Sequence, residues 1–180
     1  PLIATLDLPL ATLGNEGYLV RSVTRAGALV TVIAANSDIG VLYGAFAYLQ
    51  HIQTGGAPDT LDLAATPKLA LRLLNHWDNP DGSIERGYAG FSIWDWWTLP
   101  DHKDPRYTDY ARANASVGIN GTVLNNVNAS PVMLTPDYLE KAAALADIFR
   151  PFGIRVFLSV NYATPVTLDG LQTLDPHDTD

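Results

Sequence analysis

From Pro67 onward the chain alternates short apolar runs with helical segments, and this alternation constrains the fold more than any other feature. The runs are Leu69–Leu74, Ile119–Leu124 and Ile154–Val160. Between the first two, Asp104-Pro105 opens a helix with Asp as cap and Pro at its first position. That helix carries Tyr107, Tyr110, Ala111, Asn114 and Val117 and stops at Gly118. Between the second and third, Thr135-Pro136 caps a helix running to Arg150, with Tyr138, Ala142, Leu145, Ala146 and Phe149 on one face. Pro151 and Gly153 end it. Runs that read as apolar on both faces, joined by helices, predict an α/β fold with a parallel sheet covered by helices. No glycine-rich dinucleotide or P-loop motif stands at any strand–helix junction, so a nucleotide is not the expected ligand. A (β/α)8 TIM barrel fits the alternation, but such a barrel needs roughly 250 residues. Residues 67–180 therefore supply only its first three β/α units, and the barrel is expected to be incomplete and truncated here.

Upstream the pattern differs. Tyr18–Val23 and Ala28–Ala34, separated by Thr24-Arg25-Ala26-Gly27, read as a β-hairpin. Ser37 is the expected N-cap of a helix to about Ile52, with Ile39, Leu42, Tyr43, Phe46 and Leu49 at helical spacing. Gly40 and Gly44 share one face, a spacing that suits close packing on a sheet. Thr54–Pro67, rich in Gly, Pro, Asp and Thr, reads as a linker. The chain opens on Pro1 with no basic, apolar leader, and ends on Asp175-Pro176-His177-Asp178-Thr179-Asp180 with no sign of an element, so it reads as a fragment of a longer protein.

Composition narrows the partners. A formal net charge of −8 offers no basic face for nucleic acid or anionic membrane. No apolar run of about 18 residues exists to span a bilayer. An acidic sugar is still compatible, because one local Arg can hold a carboxylate. Cysteine is absent, which excludes disulfides, thiolate metal sites and Cys nucleophiles and leaves the compartment open.

Each apolar run ends in polar residues: Asn75-His76-Trp77-Asp78-Asn79, Asn125-Asn126-Val127-Asn128 and Asn161-Tyr162. Ligands of parallel α/β folds bind at that end of the sheet. Aromatic rings beside amides and carboxylates suit carbohydrate, offering a face for the C–H side of a sugar and partners for its hydroxyls. Trp77 with Asp78 and Asn79 is the best such group; the plainer reading makes Trp77 core and the other two the start of a turn. Glu85 and Arg86 either touch ligand or clamp the long loop by ion pairs. Trp94, Trp96 and Trp97 read as loop packing. His76 alone could act as a base, and His51, His102 and His177 lie at no ligand spacing, so neither metal nor cofactor is implied. Glycoside hydrolysis needs two opposed carboxyl groups. Asp78, Asp81, Glu85 and Asp95 are the candidates here, and none carries a pattern that marks it as acid or base.

Several long motifs resemble the α-glucuronidases of glycoside hydrolase family 67. They are Arg72-Leu73-Leu74-Asn75-His76-Trp77-Asp78-Asn79, Asp81-Gly82-Ser83-Ile84-Glu85-Arg86-Gly87-Tyr88-Ala89-Gly90, Arg106–Arg112, Gly118–Asn128, Phe149–Ile154 and Leu158–Asn161. Ala34–Gly44 is similar to the end of that family's N-terminal domain. The resemblance implies that residues 1–66 are the C-terminal part of an α/β N-terminal domain plus a linker, and that residues 67–180 begin the catalytic barrel. It implies an inverting enzyme that removes α-1,2-linked glucuronic acid, or its 4-O-methyl form, from xylo-oligosaccharides derived from glucuronoxylan. Such enzymes use no metal, and a helical C-terminal region often makes them homodimers. Their acid and base lie on later barrel strands, so no catalytic residue is expected in this chain, which alone would be inactive. Substrate-binding residues are expected at Trp77, Asp78, Asn79, Glu85, Arg86, Asn126, Val127 and Asn128, with Trp77 lining the sugar pocket and Val127 beside the 4-O-methyl group. Phe91 departs from a polar residue expected in some members. The competing readings are a hexosaminidase-like glycosidase and a non-catalytic carbohydrate-binding fragment.

Overall fold

The computed structural model describes residues 5–172; His177 and the terminal Asp175–Asp180 stretch lie outside them. The chain divides into two compact units. One runs to Arg72 and includes Arg112–Gly118; the other comprises Leu73–Ala111 and the chain from Ile119 onward.

The first unit is an antiparallel sheet with a helix on it. Strands β1 (Tyr18–Arg25) and β2 (Ala28–Ala35) pair in register from Tyr18↔Ala35 to Arg25↔Ala28. Their connection is tighter than the sequence suggests. Only Ala26 and Gly27 lie between the strands, both at positive φ (48° and 79°), as a two-residue hairpin turn matched to strand twist demands. Helix α1 (Asp38–Gln53) is capped as expected, the Ser37 side chain accepting from the Gly40 N–H. Gly40 and Gly44 let it approach the sheet closely: a Cβ at Gly44 would stand 2.7 Å from Ile33 Cγ2. The buried face of α1 is therefore Gly40, Tyr43 and Gly44, and Leu49, expected on that face, is turned out to solvent. The expected linker is also corrected. Within it Asp62–Ala65 forms a strand, β3, that pairs with β1 from Tyr18↔Ala65 to Arg21↔Asp62. Flanking Pro, Gly and Asp residues hide this short edge strand in the sequence.

The second unit holds a parallel sheet in the order β4 (Leu73–Asn75), β5 (Gly121–Val123), β6 (Arg155–Phe157); helix α2 (Pro105–Ser116), which lies in this unit up to Ala111, follows β4, and α3 (Pro136–Phe149) follows β5. A short helix, α4 (Thr164–Asp169), comes last. Register runs Leu73↔Gly121↔Arg155 to Asn75↔Val123↔Phe157. The mixed α/β class is as expected, but each strand is shorter than its apolar run. Before Leu73, Arg72 holds the chain instead of a ladder, donating to the Leu69 carbonyl and pairing with Glu16 at 2.6 Å. Nor is β4 buried on both faces among the described residues: Leu73 and Leu74, which point to opposite faces, are both exposed. Asp104 caps α2 as expected, its Oδ1 accepting from the Arg106 N–H at 2.9 Å. Thr135 does not cap α3 with its side chain; its hydroxyl donates to the Val132 carbonyl at 2.7 Å. The core is built from Trp94, Trp96, Tyr107, Leu124, Met133, Leu145 and Phe149.

Candidate functional site

The site is built where the parallel ladder runs out. The His76 N–H reaches the Val123 carbonyl and the Leu124 N–H the Phe157 carbonyl, both at 3.0 Å, so pairing persists just past the strands. One residue further, side chains take over. Asn125 donates its Nδ2 to the Ser159 carbonyl at 3.1 Å and accepts from the Ser159 N–H at 2.8 Å, an amide standing in for a strand. The Asn126 N–H donates to the Asp78 carbonyl at 2.8 Å.

The loop after β4 is more ordered than its sequence suggests. It folds back on itself through bridges Asp78↔Ile84 and Ser83↔Phe91. Its centre is Glu85, a non-glycine residue at φ +57°. The Glu85 N–H donates to the Trp77 carbonyl at 2.7 Å, and its carbonyl accepts from Asn79 Nδ2 at 2.8 Å and Asn126 Nδ2 at 3.1 Å. Asn126 Nδ2 also donates to Asn79 Oδ1 at 3.1 Å, and Asn126 Oδ1 accepts from the Asn128 N–H at 2.9 Å. Asn79 and Asn126 thus spend their amides on the protein. Left-handed backbone at a residue with a side chain persists only when its surroundings over-determine it, and these bonds do so.

Asp78 is 2% exposed. Its Oδ2 accepts from Ser92 Oγ, and its Oδ1 lies 3.6 Å from His76 Nδ1. His76 Nε2 in turn meets Tyr110 Oη at 2.8 Å, and Tyr110 Oη meets Thr122 Oγ1 at 2.8 Å. The His76 ring stands edge-on to Trp94 at 5.1 Å. His76 is therefore tied into the sheet and the aromatic core, flanking Trp77 with a fixed residue on each side. Trp94 and Trp96 pack the core as expected, whereas Trp97 is 71% exposed.

Trp77 (39% exposed), Val127, Asn128 and Arg86 present accessible surface. The expected ion-pair clamp through Glu85 and Arg86 is not what orders the loop: among the described residues neither joins an ion pair, and the backbone of Glu85 does the clamping. The Glu85 carboxylate instead accepts from the Tyr88 hydroxyl, which raises the tyrosine pKa above its usual value. Asp81 is shifted down, first by the Ser83 hydroxyl and then by the Ser83 N–H, both donating to its Oδ1. Among the described residues, no three of His, Asp or Glu gather as a metal would need, and no helix is long and apolar enough to cross a membrane.

The sequence model of the glycosyl hydrolase family 67 middle domain matches residues 51–180, and that of the family 67 N-terminus matches residues 1–48. The chain belongs to glycosyl hydrolase family 67. This decides against the hexosaminidase-like reading. The family 67 chain is 47% identical to a probable alpha-glucuronidase A of Aspergillus terreus over 81% of its own length and 17% of the relative's. It is 42% identical to alpha-glucuronidase A of Emericella nidulans over 91% of its length and 19% of the relative's. With a probable alpha-glucuronidase A of Aspergillus clavatus the figures are 40%, 98% and 22%. The chain thus spans about a fifth of the relatives it matches. In this family 67 chain, sequence reasoning about the site missed Ser92, Tyr88, Tyr110 and Ser159, whose roles depend on contacts across the fold. Asn125, noted only as part of a polar run, is the residue that joins two strand ends.

Proposed function

We propose that the protein containing this chain removes α-1,2-linked glucuronic acid, or its 4-O-methyl form, from xylo-oligosaccharides, with inversion at the anomeric carbon. The supporting observation is the gathering of Trp77, Val127 and Asn128 at the C-terminal ends of parallel strands in a chain of this family, the end where (β/α)8 enzymes bind substrate. On this reading residues 67–180 are the first three β/α units of a (β/α)8 barrel, and residues 1–66 close an N-terminal domain. The pairing of β3 with β1 supports that boundary. Trp77 stacks on the sugar, Val127 meets the 4-O-methyl group, and Arg86 and Asn128 offer donors to carboxylate and hydroxyls. Asp78, Asn79, Asn126 and Glu85 frame the pocket.

The acid and base come from elsewhere in the protein. Each candidate carboxylate here is engaged locally: Asp78 with Ser92, Glu85 with Tyr88, Asp81 with Ser83, and Asp95 with the Trp97 N–H at 3.3 Å. The test is an assay of the full-length protein on aldouronic acids, following anomeric configuration by NMR. Release of β-configured glucuronic acid is expected. Release of the α-anomer would overturn inversion, and no release would overturn the activity.

A further inference from the structure

Asn79 and Asn126 follow two neighbouring parallel strands, β4 and β5, and their side chains meet across the gap. An amide nitrogen carries two hydrogens. Those of Asn126 go to Asn79 Oδ1 and the Glu85 carbonyl, both at 3.1 Å. Those of Asn79 go to Ser83 Oγ at 3.0 Å and the same Glu85 carbonyl at 2.8 Å. Neither amide has a hydrogen left for a sugar hydroxyl. A carbonyl oxygen accepts twice, so that of Glu85 is saturated as well. Asn126 is buried, and a buried network with its donors satisfied holds its members in one arrangement. Two segments leave this cluster, and both lead to groups assigned to the sugar. On one side the Glu85 N–H donates to the Trp77 carbonyl at 2.7 Å. On the other, Asn126 Oδ1 accepts from the Asn128 N–H at 2.9 Å, which closes a turn around Val127.

We infer, on the function proposed above, that Asn79 and Asn126 are positioning residues. They set the spacing between Trp77 and Val127, and with it the preference for a 4-O-methylated glucuronate over an unmethylated one. Reading one methyl group depends on contact at van der Waals distance, and a gap of about half an ångström already forfeits roughly a quarter of the attraction. Releasing the cluster therefore erodes the methyl preference. Losing a direct bond to a sugar hydroxyl would instead weaken both sugars alike.

The experiment uses the full-length protein and reads the ratio of its affinities for free 4-O-methylglucuronate and glucuronate by calorimetry, beside the ratio of kcat/KM on the two matching aldouronic acids. The kcat/KM ratio does not depend on how much of a preparation is folded. Wild type should favour the methylated sugar about fourfold, the factor that burying one methyl yields. Asn126→Asp sets a carboxylate against two acceptors where two donors stood, and keeps the backbone bond from residue 126 to the Asp78 carbonyl. Asn79→Asp opens the same cluster from the other strand end. Each should bring both ratios close to one. Equal losses on the two sugars with the ratios kept would overturn the proposal, being the mark of a direct bond or of general loosening. So would ratios moved by Asn126→Asp and not by Asn79→Asp, or a wild type with no preference. Failure of both variants to fold would overturn it too, making the amides supports of the fold alone. A wild type that prefers the methylated sugar but releases neither from its oligosaccharide would sink the proposed activity, and the affinity ratios of the variants would still decide on the amides.

Discussion

At the residue scale Trp77 carries the clearest test. Its neighbours are pinned, His76 by Tyr110 and Asp78 by Ser92, so the half-open indole between them is held without being buried. In the full-length protein, Trp77→Ala should cut kcat/KM by the loss of about 1–3 kcal/mol of stacking, with little change in melting temperature. A variant that unfolds while its folded fraction keeps normal activity would make Trp77 a core residue instead. Val127 is exposed between the buried Asn126 and the exposed Asn128, where an apolar β-branched side chain gains nothing from hydroxyls. Val127→Asn should lower kcat/KM on 4-O-methylated substrates several-fold more than on unmethylated ones. The methyl contact is worth about 0.8 kcal/mol, and an unpaired amide against it costs about 1–3 kcal/mol more. An unchanged ratio would assign Val127 to packing alone.

At the scale of elements, close approach decides. Gly121 opens β5 between β4 and β6, and a Cβ there would stand 2.2 Å from Leu73 Cδ2 and 3.0 Å from Phe157 Cε2. Gly121→Ala should therefore destabilise the protein by about 1–3 kcal/mol, measured by urea denaturation; no loss would mean the sheet yields there at little cost. In the loop, Asp81 is held below its ordinary pKa by Ser83. A lowered carboxyl pKa stabilises the folded state above the ordinary Asp value of about 3.9 and ceases to do so as pH falls through the folded value. The stability difference between wild type and Ser83→Ala should thus shrink below pH ~4, and a difference constant down to pH 2 would remove Asp81 as its origin. These elements also show what the sequence discloses. The hairpin, the Ser37 and Asp104 caps and the alternation of strands and helices follow from local grammar, so they were legible. Strand β3 was not, because pairing with β1 defines it rather than its own four residues. Among site residues, Trp77 stood out by type. The occupied state of Asn79 and Asn126 was hidden, because their partners are each other and a backbone carbonyl at Glu85.

At the scale of the whole molecule, the parallel sheet ends on β4 and β6 with no further strand beyond either among the described residues. Open parallel edges are templates for association. Residues 1–180 expressed alone should accordingly release no glucuronic acid and should self-associate, as read by an activity assay and by light scattering. Turnover by the purified 180-residue chain would sink the assignment of acid and base to other parts of the protein.

The left-handed backbone at Glu85 bears on how such a protein can be engineered. Glycine there would relieve a conformational cost of about 1 kcal/mol, and a screen for heat resistance would favour it. The same exchange deletes the carboxylate that the Tyr88 hydroxyl addresses. Position 85 is thus a point where a freer backbone is gained only by giving up a side-chain contact that ties two residues of the loop together.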